Sequence, residues 1–163
     1  MKLRRIPRAM VAVLLVMGGL AACAPAATSV PLTPGTREAK TVTLQVTQNS
    51  KLGTFLADGE GRPLYMFTKD GQGTSRCYDK CEQAWPPLLA VGVPILKAGI
   101  QTKLIGTTQR KNGDLQITYN GSPLYYSHAD QTSGEADGHG IGHGWYLMAP
   151  DGKVIKGELD GIR

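Results

Sequence analysis

Gly61-Arg-Pro-Leu-Tyr65-Met-Phe67-Thr-Lys-Asp70 is answered sixty residues later by Gly121-Ser-Pro-Leu-Tyr125-Tyr-Ser127-His-Ala-Asp130. Glycine, the Pro-Leu-Tyr triplet and the aspartate fall in register. Paired without gaps, residues 53–92 and 113–152 share eight identities: Gly53/Gly113, Gly61/Gly121, Pro63/Pro123, Leu64/Leu124, Tyr65/Tyr125, Asp70/Asp130, Trp85/Trp145 and Gly92/Gly152. The chain's only two tryptophans are among them. Chance rarely aligns both tryptophans and a Pro-Leu-Tyr triplet together, so the chain carries an internal repeat. Two copies point to a duplicated single domain, because stacked solenoids need three or more.

Working outward, each copy reads as β structure. Val42, Leu44 and Val46 alternate with polar residues in Thr41–Thr47, the period of a half-buried strand. Leu52–Asp58, the turn Gly59-Glu-Gly61 and a return strand Pro63–Thr68 follow. In the second copy Leu104–Gln109 precedes a strand in which Leu115, Ile117 and Tyr119 alternate; Asn120-Gly121 is a hairpin signal and Pro123–Ser127 returns. Asp151-Gly152 punctuates a last hairpin between Trp145–Met148 and Lys153–Ile155. Cys77–Ala84 is the one helical stretch. Glycine and proline, 21 and 10 of 163 residues, are too frequent for a helical bundle and suit a turn-rich β protein. The expectation is a mostly β chain: a single antiparallel β domain over residues 40–163, built from two related halves near 50–92 and 110–152, with one short helix around the Cys-x-x-x-Cys segment.

The N-terminus reads as an address. Lys2, Arg4, Arg5 and Arg8 lead into a twelve-residue apolar run, Ala9–Leu20. That run is too short for a membrane span, which needs about twenty apolar residues, and sits where a secretory signal has its apolar core. It ends in Leu20-Ala21-Ala22-Cys23, which resembles the lipobox of bacterial lipoproteins. The reading is a lipoprotein signal peptide at 1–22, lipidation at Cys23 and a flexible, proline-bearing tether at 23–39 that holds the domain about 20–25 Å from the bilayer. The formal charge of +5 belongs mostly to this leader; without residues 1–22 there remain 14 Lys+Arg against 13 Asp+Glu, a net +1. A nucleic-acid partner thereby loses its main support.

The motif Tyr65-Met-Phe67-Thr-Lys-Asp70, with Cys77-Tyr-Asp-Lys-Cys81, Ala84-Trp-Pro-Pro-Leu88 and Thr118-Tyr-Asn-Gly121 around it, resembles the bacterial lipoprotein family of secreted repeats of unknown function, marked by Tyr-x-aromatic-x-x-Asp. The resemblance covers roughly residues 50–152. In the second copy Tyr125 and Asp130 keep the pattern, but Ser127 stands where an aromatic is expected. The resemblance implies no defined activity; some relatives carry a link to alkane catabolism.

The residues themselves allow two readings of the motif. Tyr65 and Phe67 lie on one face of a strand and suit a core, and Asp70 and Asp130 suit Asx-turns that cap a chain reversal. The alternative makes the Tyr and Asp pair a ligand site. Cys77 and Cys81, four apart in an exported chain, are expected to form a disulfide. Reduced, and with His128, His139 and His143, they would instead suggest a copper- or zinc-binding or redox-handling protein. Gly138-His-Gly-Ile-Gly-His-Gly144 reads as a glycine loop, so its His-x-x-x-His spacing has lost the geometric force it would have on a helix. No Gly-x-Ser-x-Gly, phosphate-binding Gly-x-x-x-x-Gly-Lys or His-Glu-x-x-His is present, and no catalytic residue or cofactor is expected. The function expected is a lipid-anchored cell-envelope lipoprotein with a binding or structural role. Its partners would be the membrane through Cys23 and an envelope protein or glycan.

Overall fold

The structure, a computed structural model, describes residues 41–156. The signal peptide 1–22, Cys23 and the tether lie outside them. Within them β1 (Thr43–Asn49) and β2 (Gly53–Asp58) form a hairpin. Leu56 and Leu64 are joined across the following turn, and β3 (Tyr65–Phe67) then leaves the hairpin to pair with β8 (Trp145–Leu147) of the other copy. The second hairpin joins β5 (Ile105–Gln109) to β6 (Leu115–Tyr119), and the two-residue β7 (Ser122–Pro123) returns on β6. The expected return strand Pro63–Thr68 is thus short, and most of its partners belong to the other half. The last hairpin is reduced to a Met148–Val154 bridge. One pairing runs parallel: β4 (Ile95–Leu96) lies beside Thr43 and Leu44 of β1. The intervening chain, from Ser50 to Pro94, is long enough for the crossover that parallel pairing demands.

The two turns are built differently, which shifts the copies by one residue. Asn120 and Gly121 have φ of 48° and 77°, the left-handed pair of a two-residue hairpin loop. The first turn has three residues, Gly59–Gly61, with Gly61 at φ 83°. Leu64 therefore bonds to Leu56, whereas Leu124 bonds to Ile117. Before the turns the equivalence is sixty-one residues, after them sixty. The Gly53/Gly113 identity is out of structural register; the seven others lie at or after the turn.

The backbone contacts between the halves are reciprocal. Tyr65 N–H donates to Tyr125 O and Tyr125 N–H to Tyr65 O, both at 2.9 Å. Leu56 N–H reaches Met148 O and Ile117 N–H reaches Leu88 O, each at 2.8 Å. Thr68 donates to Gly144 and His128 to Ala84. Such exchange is the signature of a two-fold relation, an isologous interface inside one chain.

Strand alternation sends neighbouring side chains to two cores. Leu44, Leu56, Leu64, Leu88, Ile117, Leu124 and Met148 fill one. Phe55, Tyr65, Trp85, Tyr125, Trp145 and Leu147, with Cys77, fill the other. Leu64 and Tyr65 thus part company, as do Leu124 and Tyr125. In the aromatic core Trp85 and Trp145 stack with centroids 3.9 Å apart and planes 1° from parallel. Tyr65 meets Trp85 edge-on at 5.4 Å and Tyr125 meets Trp145 at 5.2 Å, so each tryptophan receives the tyrosine of its own copy.

The helix is shorter than expected. α1 covers Lys80–Ala84, because Asp79 before it has φ 56° and no side-chain cap is made. Among the described residues no helix is long and apolar enough to cross a membrane.

Candidate functional site: crossed Tyr–Asp pairs and an Asp–Arg–Tyr ridge

The motif residues meet their counterparts across the two-fold relation. The Tyr65 hydroxyl donates to Asp130 Oδ2 and the Tyr125 hydroxyl to Asp70 Oδ2, both at 2.7 Å. Each tyrosine is buried by its strand, and each aspartate lies past the strand that pairs with it. Burial raises both phenols, and the nearby aspartate adds to the effect, so both hydroxyls stay protonated and donate. Burial also pushes the Asp70 and Asp130 carboxyls up, against the tyrosine and backbone hydrogen bonds that pull them down. The local Asx-turn expected at these aspartates is not the bond they make. Asp70 Oδ1 accepts the N–H of Arg76, six residues on, and Asp130 Oδ1 accepts those of Asp137 and Gly138. Each carboxylate closes a long loop on one side and holds the other copy's tyrosine on the other.

The loops that follow are braced by different means. Cys77 and Cys81 form the expected disulfide, with Cα atoms 5.1 Å apart. Arg110, 3% exposed, reaches this loop from the second copy. Its guanidinium donates to Ser75 Oγ, Gln116 Oε1, the Cys77 carbonyl and Glu82 Oε2, and lies 4.7 Å from the centre of the Tyr78 ring. Ser75 also bonds the Tyr125 hydroxyl at 2.8 Å, so the disulfide loop and the motif share one polar network.

In the second copy the chain turns through a short 3-10 segment, Ile141–His143, where α1 has its counterpart. Ser127, the departure from the motif, now has a reason. Phe67 stacks on Trp145 at 4.2 Å, whereas in the other copy Gly138 comes close to both Ser127 and the edge of the Trp85 ring. A Cβ on Gly138 would lie 2.8 Å from Ser127 Cβ and 2.9 Å from the Trp85 ring. Two small residues are needed there.

The histidines do not gather as metal ligands. His139 is buried, its Nδ1 accepting the N–H of Leu147 at 3.2 Å and its ring edge-on to Tyr146, whereas His128 and His143 lie on exposed turns. Among the described residues no group of three or more His, Cys, Asp or Glu is placed to hold a metal ion. With both sulfurs in the disulfide, the geometry does not favour the metal or redox alternative.

A profile described as a secreted repeat of unknown function matches residues 46–89 and again 106–149, together more than half of the chain. The chain belongs to this family of secreted repeats. Both matches sit at the sixty-residue spacing of the motif and include its tyrosine and aspartate in each copy. No curated protein and no solved structure matches the chain. The secreted-repeat family suggests export.

One further cluster on this secreted repeat escapes the sequence reading. Asp58, 5% exposed, ends β2 and accepts five hydrogen bonds: the Glu60 and Arg62 N–H groups on Oδ1, and Arg62 Nε, Arg62 Nη2 and the Tyr126 hydroxyl on Oδ2. The Arg62 guanidinium lies 4.3 Å from the centre of the Tyr126 ring. Arg62 and Tyr126 form a ridge between two open cavities of about 300 and about 250 Å³. The only sequence signal is Asp58-Gly-Glu-Gly-Arg62, an acid and a base facing across a turn. Nothing in the sequence points to Tyr126, sixty-four residues away.

Proposed function

We propose that this secreted repeat is a lipid-anchored module of the bacterial cell envelope that acts by binding a partner, without catalysis. The leader up to Leu20-Ala21-Ala22-Cys23 supports export and diacylation at Cys23. The observation that carries the binding reading is the crossed Tyr–Asp pairing. The polar atoms of the family motif are spent on holding the two copies together, with protonated hydroxyls donating to carboxylates that backbone N–H groups already occupy. Such a motif offers neither an activated nucleophile nor an available base. The Arg62–Tyr126 ridge is an ordered polar cluster beside two open cavities, and we read it as the binding site.

The anchor is tested by growing cells with a radiolabelled fatty acid and separating membranes from soluble protein. The wild type should carry label and sediment with membranes, whereas Cys23→Ala should carry none and remain soluble or unprocessed. A Cys23→Ala protein that is labelled and sediments like the wild type would overturn the assignment.

A further inference from the structure

We propose that the Arg62–Tyr126 ridge and the cavities beside it bind a neutral glycan. This rests on the binding reading above and names its ligand. The second copy supplies an internal control. Its hairpin ends in Tyr119, and Ser122 and Met66 stand at the positions equivalent to Arg62 and Tyr126. That hairpin closes through Asn120 and Gly121 without a charged group at its turn. Asp58, Arg62 and Tyr126 are therefore an addition that the repeated fold does not require.

The chemistry of the addition selects the ligand. Asp58 fixes Arg62 by two side-chain bonds and Tyr126 by one, so the ridge is ordered before any ligand arrives. Arg62 is balanced by Asp58 at 2.7 Å and faces Glu60 at 3.6 Å. An anion meets two carboxylates there, and a cation meets the guanidinium. A hydroxyl both donates and accepts, so neutral polyols suit a fixed carboxylate–guanidinium pair. The 300 Å³ cavity adds Thr41, Val42 and Thr43, and the 250 Å³ cavity adds Ser127, His128, Asp130 and Gln131. Tyr126, Pro63 and Pro86 supply the apolar surface on which the C–H face of a sugar ring packs. Neither cavity is lined by the Leu, Ile or Phe that would grip the anchoring side chain of a peptide. Both sit at or below the lower end of small-molecule sites, about 300 Å³, which fits short sugar units on either side of the ridge.

The test is calorimetric titration of the full-length protein in a sugar-free detergent. The probes are the neutral tetrasaccharides of N-acetylglucosamine, β-1,4-glucose and α-1,4-glucose, with tetragalacturonate as the acidic contrast. At least one neutral sugar should bind saturably and more tightly than the acidic one. Tyr126→Met and Arg62→Ser, which install the other copy's residues, should each weaken it tenfold or more. Should these variants fail to fold, as read by circular dichroism, His128→Ala and Thr41→Ala at the exposed rims carry the test, each expected to weaken binding severalfold. The proposal is overturned if no neutral sugar binds, if tetragalacturonate binds more tightly, or if binding survives the folded ridge or rim variants unchanged. The measurement needs no anchor. Sugar binding by a protein that incorporates no fatty acid would sink the lipidation reading alone.

Discussion

The loop after the motif in the first copy, residues 71–84, and its counterpart in the second, residues 131–144, do the same job with different chemistry. Both bring a chain reversal from a Tyr–Asp pair to a buried tryptophan. The first is tied by a disulfide and by Arg110, which makes three hydrogen bonds from Ser75 to Glu82 and a fourth to Gln116. The second has no covalent tie; glycines let it press onto Trp85, and His139 pins it to Leu147. What the repeat shares is the crossed hydrogen bonding, and what it varies is the brace. The motif is therefore a device for joining two copies, and each brace is a local solution that the joint tolerates.

The tryptophans sit where the copies meet, so replacing them is the hardest blow to the comparison. Trp85→Ala and Trp145→Ala should each lose about 3–5 kcal/mol in denaturant unfolding. Because the rings stack on each other, the double variant should lose less than the sum of the singles. Fully additive losses would show that the halves do not share one aromatic core.

Removing the two cysteines together (Cys77→Ala with Cys81→Ala) opens a very short loop, for which chain entropy predicts about 2 kcal/mol. Hydrogen exchange should quicken around residues 77–84 and stay unchanged around 137–144. Equal loosening of both loops would mean that the braces are coupled through the core.

Tyr65→Phe and Tyr125→Phe each take a donor from a half-buried carboxylate that keeps its backbone N–H partners, at about 1–3 kcal/mol. Tyr125→Phe should cost more, since Ser75 loses a partner as well. The pH dependence has a definite sign. Groups whose values are raised on folding lend stability that is complete below the unfolded value and is lost as pH rises to the folded one. For the tyrosines the loss begins near the ordinary value of 10.0, and for Asp70 and Asp130 near 3.8. Unfolding titrations should show wild-type stability falling above pH 10, and each phenylalanine variant should flatten that fall. A slope unchanged in both variants would show that the crossed pairs do not set it.

The smallest effect separates two histidines of one loop. His143→Ala, at an exposed turn, should leave the thermal midpoint unchanged, whereas His139→Ala should lower it measurably. Equal midpoints would remove His139 as the second loop's brace.

Val42, Leu44 and Val46 announced β1, Asn120-Gly121 the turn from β6 to β7, and the sixty-residue spacing the duplication, because period-two burial and left-handed turn residues are local properties. Cys77 and Cys81 were legible for the same reason: four residues keep two sulfurs within reach. The site was only half legible. Tyr65, Tyr125, Asp70 and Asp130 could be chosen from the repeat, but nothing local shows that each tyrosine bonds the other copy's aspartate. Asp58, Arg62 and Tyr126 could not be assembled at all, since sequence spacing says nothing about which hairpin meets which strand across a two-fold relation. The one-residue slip at the turns was likewise hidden, because a gapless alignment scores Gly53 with Gly113 without knowing that one loop has three residues and the other two.

By itself the sequence determined that this chain is a doubled, turn-rich β protein with a short-range disulfide, for turns, strands and the disulfide follow from neighbours along the backbone and the doubling from a repeated spacing. The tertiary structure alone decided that each copy's tyrosine is satisfied by the other's aspartate, that the tryptophans stack face to face, and that an Asp–Arg–Tyr ridge forms where the first copy's turn meets Tyr126 of the second, with no two-fold counterpart. Contacts between residues sixty apart are chosen by how the buried faces of two half-domains can both be covered at once, and no local preference carries that information.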